Sequence, residues 1–169
     1  MTQSPEIPAT AEGAVPAEKS KKAASSGRRR AREFVVQGLY QWQVGGQDEA
    51  AIEAQTETVA GFERADAELF KLLLGETIAE AGALQAELTP FITRPWAEVS
   101  PIERGILLLA TCELKNHLET PYRVVINEAI ELTKAFGGTD GHKYVNGVLD
   151  KVAAILRPDE VAARKQAKK

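Results

Sequence analysis

The sequence predicts an all-α protein of six to seven helices, folded as two packed halves that each resemble a three-helix bundle. Two observations carry this prediction. No segment alternates apolar and polar residues with the period of two that a half-buried strand requires. Apolar residues instead recur every three or four positions, as in an amphipathic helix, and no proline stands between Pro16 and Pro90.

The first half is expected over residues 28–92. Three helices are predicted in it, over about 27–44, 48–60 and 66–88. The pair Gly45-Gly46 is typical of a helix end and should stop the first of them. Residues 1–27 contain prolines, small residues and lysines without apolar periodicity, which predicts a disordered arm.

The second half is expected over residues 93–157. It opens with a capping box, in which Ser100 is the N-cap, Pro101 the first helical residue and Glu103 the reciprocal partner. The wide apolar stripe that follows predicts the central, most buried helix. Its helices are predicted over about 100–117, 121–136 and 140–156, with later caps at Thr120-Pro121 and at Thr139 or Asp140. Residues 158–169 are predicted to be a charged flexible tail.

Positive charge is concentrated near the N-terminus of a chain whose net charge is −3. Residues 19–32 hold seven Lys/Arg and no acid, whereas residues 33–158 hold 10 Lys/Arg against 19 Asp/Glu. Arginines on the first turns of a helix oppose its macrodipole, so an external anion is expected to offset that cost. Arg28, Arg29, Arg30 and Arg32 are therefore predicted to bind nucleic-acid phosphate. A solvated basic arm is the alternative.

A second candidate lies at the start of the last predicted helix. Lys143 and Tyr144 are adjacent, and with Asp140 they can point away from the apolar face of that helix. A cation beside an exposed aromatic ring suits a stacked base with a nearby phosphate. The alternative is that Tyr144 lies at the edge of the core.

The residue types that catalysis and metal binding need are scarce. The single cysteine, Cys112, excludes an internal disulfide, and the two histidines have no metal-ligand spacing to it. No catalytic constellation is found, so we expect neither an enzyme nor a bound cofactor or metal. The chain also lacks an 18-residue apolar run and a signal-peptide pattern, which predicts a cytoplasmic protein without membrane association.

Several motifs, taken together and in this order, resemble the NusB family of transcription antitermination factors. They cover residues 28 to 157, and they are RRRAR at 28–32, QGLY at 37–40, IER at 102–104, EL at 113–114, PYRVVINEAIEL at 121–132 and KYVNGVLD at 143–150. Two positions depart from the family pattern, Leu108 where arginine is common and Cys112 where an aromatic residue is common.

The resemblance implies a function without catalysis. NusB-like proteins pair with NusE, a small-subunit ribosomal protein, bind boxA RNA of nascent ribosomal transcripts, and join NusA and NusG on RNA polymerase. By position, the implied RNA-binding residues are Arg28, Arg29, Arg30, Arg32, Tyr40, Lys143 and Tyr144. The implied NusE-binding residues are Glu103, Asp140 and Tyr144. A homodimer that covers the arginine surface is also possible.

Two alternatives remain from the sequence. One is an RNA-binding module related to the N-terminal domain of ribosomal RNA methyltransferases, but no strand pattern or glycine-rich cofactor loop follows in this chain. The other is a helical adaptor that binds only proteins, which predicts no RNA affinity with or without a partner.

Overall fold

The structure, a computed structural model, describes residues 17–168, which contain helices and turns but no strand. The all-α prediction is therefore confirmed, with eight α-helices in this range where six or seven were expected. They are α1 (Ala17–Gly45), α2 (Glu49–Thr56), α3 (Ala67–Ala79), α4 (Ala81–Leu88), α5 (Pro101–Asn116), α6 (Tyr122–Phe136), α7 (Gly141–Leu156) and α8 (Pro158–Ala167). Short 3-10 turns occupy Phe62–Arg64, Thr89–Phe91 and Trp96–Glu98. None of the described helices is both long and apolar enough to cross a membrane.

The central helix of the fold is α5, as the sequence predicts. It packs against α1, α3, α4, α6 and α7, and its residues from Gly105 to Leu114 are all buried. The buried apolar residues of both predicted halves form one cluster around it. In the first half, Phe62 packs edge-on against both Phe34 and Phe70, with ring centroids 5.4 Å apart in each pair. The two halves thus share one core.

The first helix begins ten residues earlier than expected, at Ala17. The predicted disordered arm, 1–27, is thus helical over 17–27, and its remainder lies outside the described residues. The added segment consists mainly of alanine, lysine, serine and glutamate, which tolerate a helix well, and Glu18 in the first turn favours the macrodipole. Its outward-facing side chains are exposed, so apolar periodicity could not reveal it.

The predicted helix over 66–88 is divided in two at Glu80. The residues on its core side, Phe70, Leu73, Leu74, Leu84 and Leu88, are fully buried on both sides of the break. The apolar pattern continues across Glu80, and for that reason it could not locate the break.

The predicted helix boundaries differ in how they are capped. Gly46 has a φ of 65°, a left-handed conformation that ends α1 as predicted. Ser100 accepts the backbone N–H of Glu103 at 3.2 Å, which confirms Ser100 as the N-cap. The Glu103 carboxylate accepts from the Ser100 hydroxyl at 3.0 Å, rather than from the Ser100 backbone N–H as a capping box requires. Of the predicted Thr120-Pro121 cap, Pro121 occupies the N-cap position of α6, but Thr120 makes no capping bond and the Tyr122 N–H donates to Glu160 of α8.

Residues 158–167, predicted as part of a flexible tail, form α8 instead. Pro158 is its first residue, acids occupy its first turn and bases its last turn, all of which favour a helix. The buried guanidinium of Arg157 holds its start, donating to the Leu114 carbonyl at 2.7 Å and to the Glu160 carboxylate at 2.8 Å. The Glu160 carboxylate also accepts the Tyr122 N–H at 3.1 Å. These contacts tie α8 to the ends of α5 and α6.

Candidate nucleic-acid interface

The four predicted arginines lie on one helix but point in different directions. Successive helical residues are rotated by about 100°, so a run of cations cannot face one surface. Arg28 and Arg29 are exposed, Arg30 is partly buried, and Arg32 is buried with 4% of its surface exposed. The run therefore contributes two cations to the open surface.

Arg32 forms an ion pair inside the protein. Its guanidinium donates to the Glu113 carboxylate of α5 through Nη2 at 2.8 Å and through Nε at 3.0 Å, and both side chains are at most 5% exposed. Burial alone would lower the pKa of Arg32, but the hydrogen bonds and charge of Glu113 raise it overall. A guanidinium held this way joins α1 to α5, and its predicted RNA contact stays a prediction that would require breaking this pair.

Arg29 forms a second ion pair, at the surface. It donates to both carboxylate oxygens of Glu128 on α6, at 2.9 and 3.1 Å. This hydrogen bond and the charge of Glu128 raise the pKa of Arg29. The Arg29 side chain is 52% exposed, so a phosphate can approach it, although it must compete with the carboxylate.

Arg28 lines a cleft of ≈390 Å³ between α1 and the loop from α5 to α6. The cleft also contains Arg32, His117, Pro121 and Val124. The imidazole of His117 lies between two carboxylates, with Nε2 2.7 Å from Glu76 and Nδ1 3.1 Å from Glu119. Three glutamates also line the cleft, and each already pairs with another side chain: Glu113 with Arg32, Glu119 with His117 and Glu128 with Arg29. Among the described residues, Arg28 therefore lines the cleft without an ion pair of its own.

Arg30 faces a different part of the molecule. Its Nη1 lies against the turn at Gly61, 3.6 Å from where a Cβ on that glycine would stand, and its Nε is buried without a hydrogen-bond partner. This direction leads away from Glu128 and α6. The structure therefore separates Arg30 from Arg28 and Arg29.

The start of α7 presents the second candidate. Asp140 and Lys143 are exposed, and the Lys143 Nζ lies 3.8 Å from the Asp140 Oδ1. Asp140 occupies the N-cap position of α7, but its side chain makes no capping hydrogen bond. Tyr144 is half-buried, and the guanidinium carbon of Arg94 lies 4.2 Å from the centre of its ring. Arg94 was not predicted from the sequence. It lies 50 residues away in the loop that joins the halves, and no local pattern relates it to Tyr144.

Glu103 has a role within the fold that the sequence did not suggest. It is 7% exposed, binds Ser100, and its carboxylate lies directly against Gly141, the first residue of α7. A carboxylate there favours the positive end of the α7 dipole. Its predicted contact with NusE stays a prediction, but little of the side chain reaches the surface.

The contacts along α1 show which candidates lie at the same end of the bundle. Gln43 donates to the Pro101 carbonyl at 3.0 Å, so the C-terminal part of α1 and the exposed ring of Tyr40 lie beside the start of α5. The Glu103–Gly141 contact brings the start of α7 to that same end. Arg29 lies eleven residues from Tyr40, about 16 Å along the helix. The structure thus separates the candidates into an arginine end and an α7 end.

The two departures from the family pattern are both buried. Cys112 is fully buried and burial raises the pKa of its thiol to about 12, while Leu108 is 3% exposed beside Trp42 and Trp96. Within the described range, no three His, Cys, Asp or Glu side chains are grouped so that they could hold a metal ion.

Comparison with known proteins agrees with this fold. The NusB family model matches residues 29–154. Transcription antitermination protein NusB of Dechloromonas aromatica (strain RCB) is 67% identical over 144 residues, 85% of this chain and 88% of that protein. The protein of the same name from Azoarcus sp. (strain BH72) is 60% identical over 142 residues, 83% of this chain and 92% of that one.

A solved structure shows the same architecture. NusB of T. maritima superimposes with a TM-score of 0.66 at 29% identity, covering 75% of this chain and 89% of that one. The match to the family model, the two relatives and this structure lead to one conclusion. The chain belongs to the NusB family.

Proposed function

We propose that this protein acts in transcription antitermination by binding boxA-type single-stranded RNA together with NusE, in a complex with NusA, NusG and RNA polymerase. The family relationship supports the antitermination role, since the relatives described above carry that name. The observation that carries RNA binding is the exposed cation that lines the α1 cleft. Arg28 has no ionic partner among the described residues, on a chain whose net charge is −3.

The ion pair between Arg29 and Glu128 supports a requirement for the partner. The carboxylate of Glu128 already accepts from two nitrogens of Arg29, and its negative charge repels a phosphate that approaches this guanidinium. The isolated chain is therefore expected to bind RNA weakly. A second protein that adds cations beside this surface would compensate for Glu128 and strengthen binding.

The α7 end suits the partner and the unpaired bases. Asp140 and Lys143 are exposed, and Tyr144 with Arg94 offers an aromatic ring and a guanidinium plane. Such planes stack with bases that are free of a duplex. We assign Asp140 to the NusE contact, Arg28, Arg29, Tyr40 and Lys143 to RNA, and Tyr144 to both.

The test is a fluorescence anisotropy titration of labelled boxA RNA with this chain alone, with NusE alone and with both. We expect weak binding by each protein and a gain from the pair that a scrambled RNA of equal length does not show. No gain from the pair would refute the composite site. Absence of RNA binding in every mixture, with NusE binding intact, would favour the helical adaptor instead.

The contribution of the arginine end is tested with two single-charge variants. Arg28→Gln removes the unpaired cation, whereas Lys71→Gln removes a cation that pairs with Glu57 elsewhere. For a single strand, each lost phosphate contact reduces the log–log salt slope by about 0.7. We expect that reduction for Arg28→Gln only. Equal slopes in the two variants would place Arg28 outside the RNA site.

A further inference from the structure

The face that α8 turns toward the protein body carries an unusual set of side chains. Val161, Arg164, Lys165 and Lys168 follow the i, i+3, i+4, i+7 spacing, which places them on one side of the helix. That spacing normally forms an apolar stripe. Here Val161 packs against the core, while the other three positions are cations that line a groove of ≈300 Å³.

The helix dipole does not explain this arrangement. Bases in the last turn of a helix favour its negative end on any side of the helix. The opposite side of α8 carries Asp159, Ala162, Ala163 and Gln166, which are exposed and include no cation. Arg164, Lys165 and Lys168 therefore all lie on the side of α8 that faces the groove. The helix dipole does not account for this shared side.

The groove contains too little negative charge to balance them. Its other walls are Tyr122 and Arg123 at the start of α6 and Asp150 and Ala154 on α7. Asp150 is the single acid among the lining residues, and it already accepts from Arg123 at 3.2 Å. Within residues 18–168, none of Arg164, Lys165 and Lys168 takes part in an ion pair.

The position of α8 is fixed, so these cations are not a loose tail. Arg157, 6% exposed, donates to the carbonyls of Leu114, Thr120 and His117 at 2.7 to 3.0 Å and to Glu160 on α8. Glu160 in turn accepts the Tyr122 N–H. The first turn of α8 is thereby bound to the ends of α5 and α6.

The groove is a neighbour of the Arg28 cleft. The cleft is lined by Thr120, Pro121 and Val124, and the groove by Tyr122 and Arg123. The first turn of α6 thus forms the ridge between them. A helix is about 10 Å wide, so the two cationic sites are separated by a distance that a few nucleotides of single-stranded RNA can cover.

We propose that the α8 groove is a second phosphate-binding site, which holds RNA that continues past the Arg28 cleft over the start of α6. A flexible polyanion fits the three unpaired cations, and the guanidinium of Arg123, 5.8 Å from the centre of the Tyr122 ring, gives the groove a planar wall. This inference rests on the proposed RNA-binding function and extends its site.

The test uses the full chain with NusE and a labelled RNA that carries boxA with flanking nucleotides on both sides. One variant, Lys165→Gln/Lys168→Gln, removes two groove cations while keeping helix-forming residues. The matched control adds Ala163→Lys/Gln166→Lys to those two changes, which restores the net charge on the opposite side of α8. Circular dichroism of all proteins verifies that α8 and the fold are retained.

We expect the first variant to bind about 5- to 25-fold more weakly at 0.1 M salt, because counterion release contributes about fivefold per contact at that concentration. The relocated cations should not restore the affinity. An unchanged affinity of the first variant would overturn the α8 site, and full recovery by the control would show diffuse attraction instead. If the unaltered chain with NusE fails to bind the RNA, the proposed function itself fails and the α8 site with it.

Discussion

Replacing Arg32 with methionine tests whether this arginine belongs to the core or to the RNA site. The change removes all three hydrogen bonds that the Glu113 carboxylate receives from Arg32 and leaves that carboxylate 4% exposed. Loss of one partner from a buried ion pair costs about 3–5 kcal/mol. For a domain of this size, that corresponds to a fall in Tm of roughly 6–20 °C.

The measurement is urea unfolding followed by far-UV circular dichroism, with Arg28→Met as the matched control. Arg28 makes no ion pair among the described residues, so its loss should cost less than about 0.5 kcal/mol. The double variant Arg32→Met/Glu113→Leu should recover most of the stability, because it replaces the pair with apolar volume. If Arg32→Met lowers the free energy of unfolding by less than about 1 kcal/mol, the Arg32–Glu113 pair contributes no more than an exposed ion pair does. A reduced RNA salt slope in the folded double variant would show that Arg32 contacts phosphate, and would refute the core assignment.

Three further outcomes are expected. Burial alone would lower the pKa of His117, but its two carboxylate neighbours raise it overall, so protonation stabilises the fold. This contribution to the free energy of unfolding is complete below a pH of about 6.5, the ordinary pKa of histidine, and is lost as the pH rises through the raised pKa of His117. Urea unfolding at several pH values should show this loss of stability in the unaltered protein and not in His117→Gln. Cys112, with a pKa of about 12, should react with a thiol reagent only after unfolding, as a stopped-flow absorbance assay would show. In urea unfolding, Gly147→Ala, which meets open space, should stabilise by about 1 kcal/mol, whereas Gly141→Ala should stabilise less because its Cβ would displace the Glu103 carboxylate.

The fold class and the central helix could be predicted because they depend on local patterns. The cap at Ser100 predicted where α5 begins, and its wide apolar stripe predicted that α5 lies in the core. The structure confirms both predictions. The break at Glu80 leaves no such signal, since the apolar stripe is in phase on both sides. The α8 helix was missed because it has no apolar stripe: its local capping and charge signals favour a helix, but only Val161 of α8 packs against the core.

The candidate site was less predictable because it depends on which side of a helix each residue faces and on partners far along the chain. The sequence identified a cluster of arginines, but it could not show that Arg32 pairs with Glu113 and Arg29 with Glu128. The two acids are 81 and 99 residues from those arginines. Arg94, which stacks on Tyr144, was missed for the same reason.

The ion pairs of α1 change the physical explanation for its arginines. An external anion was inferred because cations oppose the macrodipole at a helix start. However, α1 begins at Ala17, so Arg28 lies about three turns inside the helix, where the dipole effect has faded. The need for an anion must come instead from the absence of a carboxylate partner, and Arg28 meets that condition. Within the described residues, Arg164, Lys165 and Lys168 on α8 also lack a carboxylate partner. Unpaired cations on either side of the α6 start, rather than the arginine run as a unit, therefore define the surface that we expect RNA to follow.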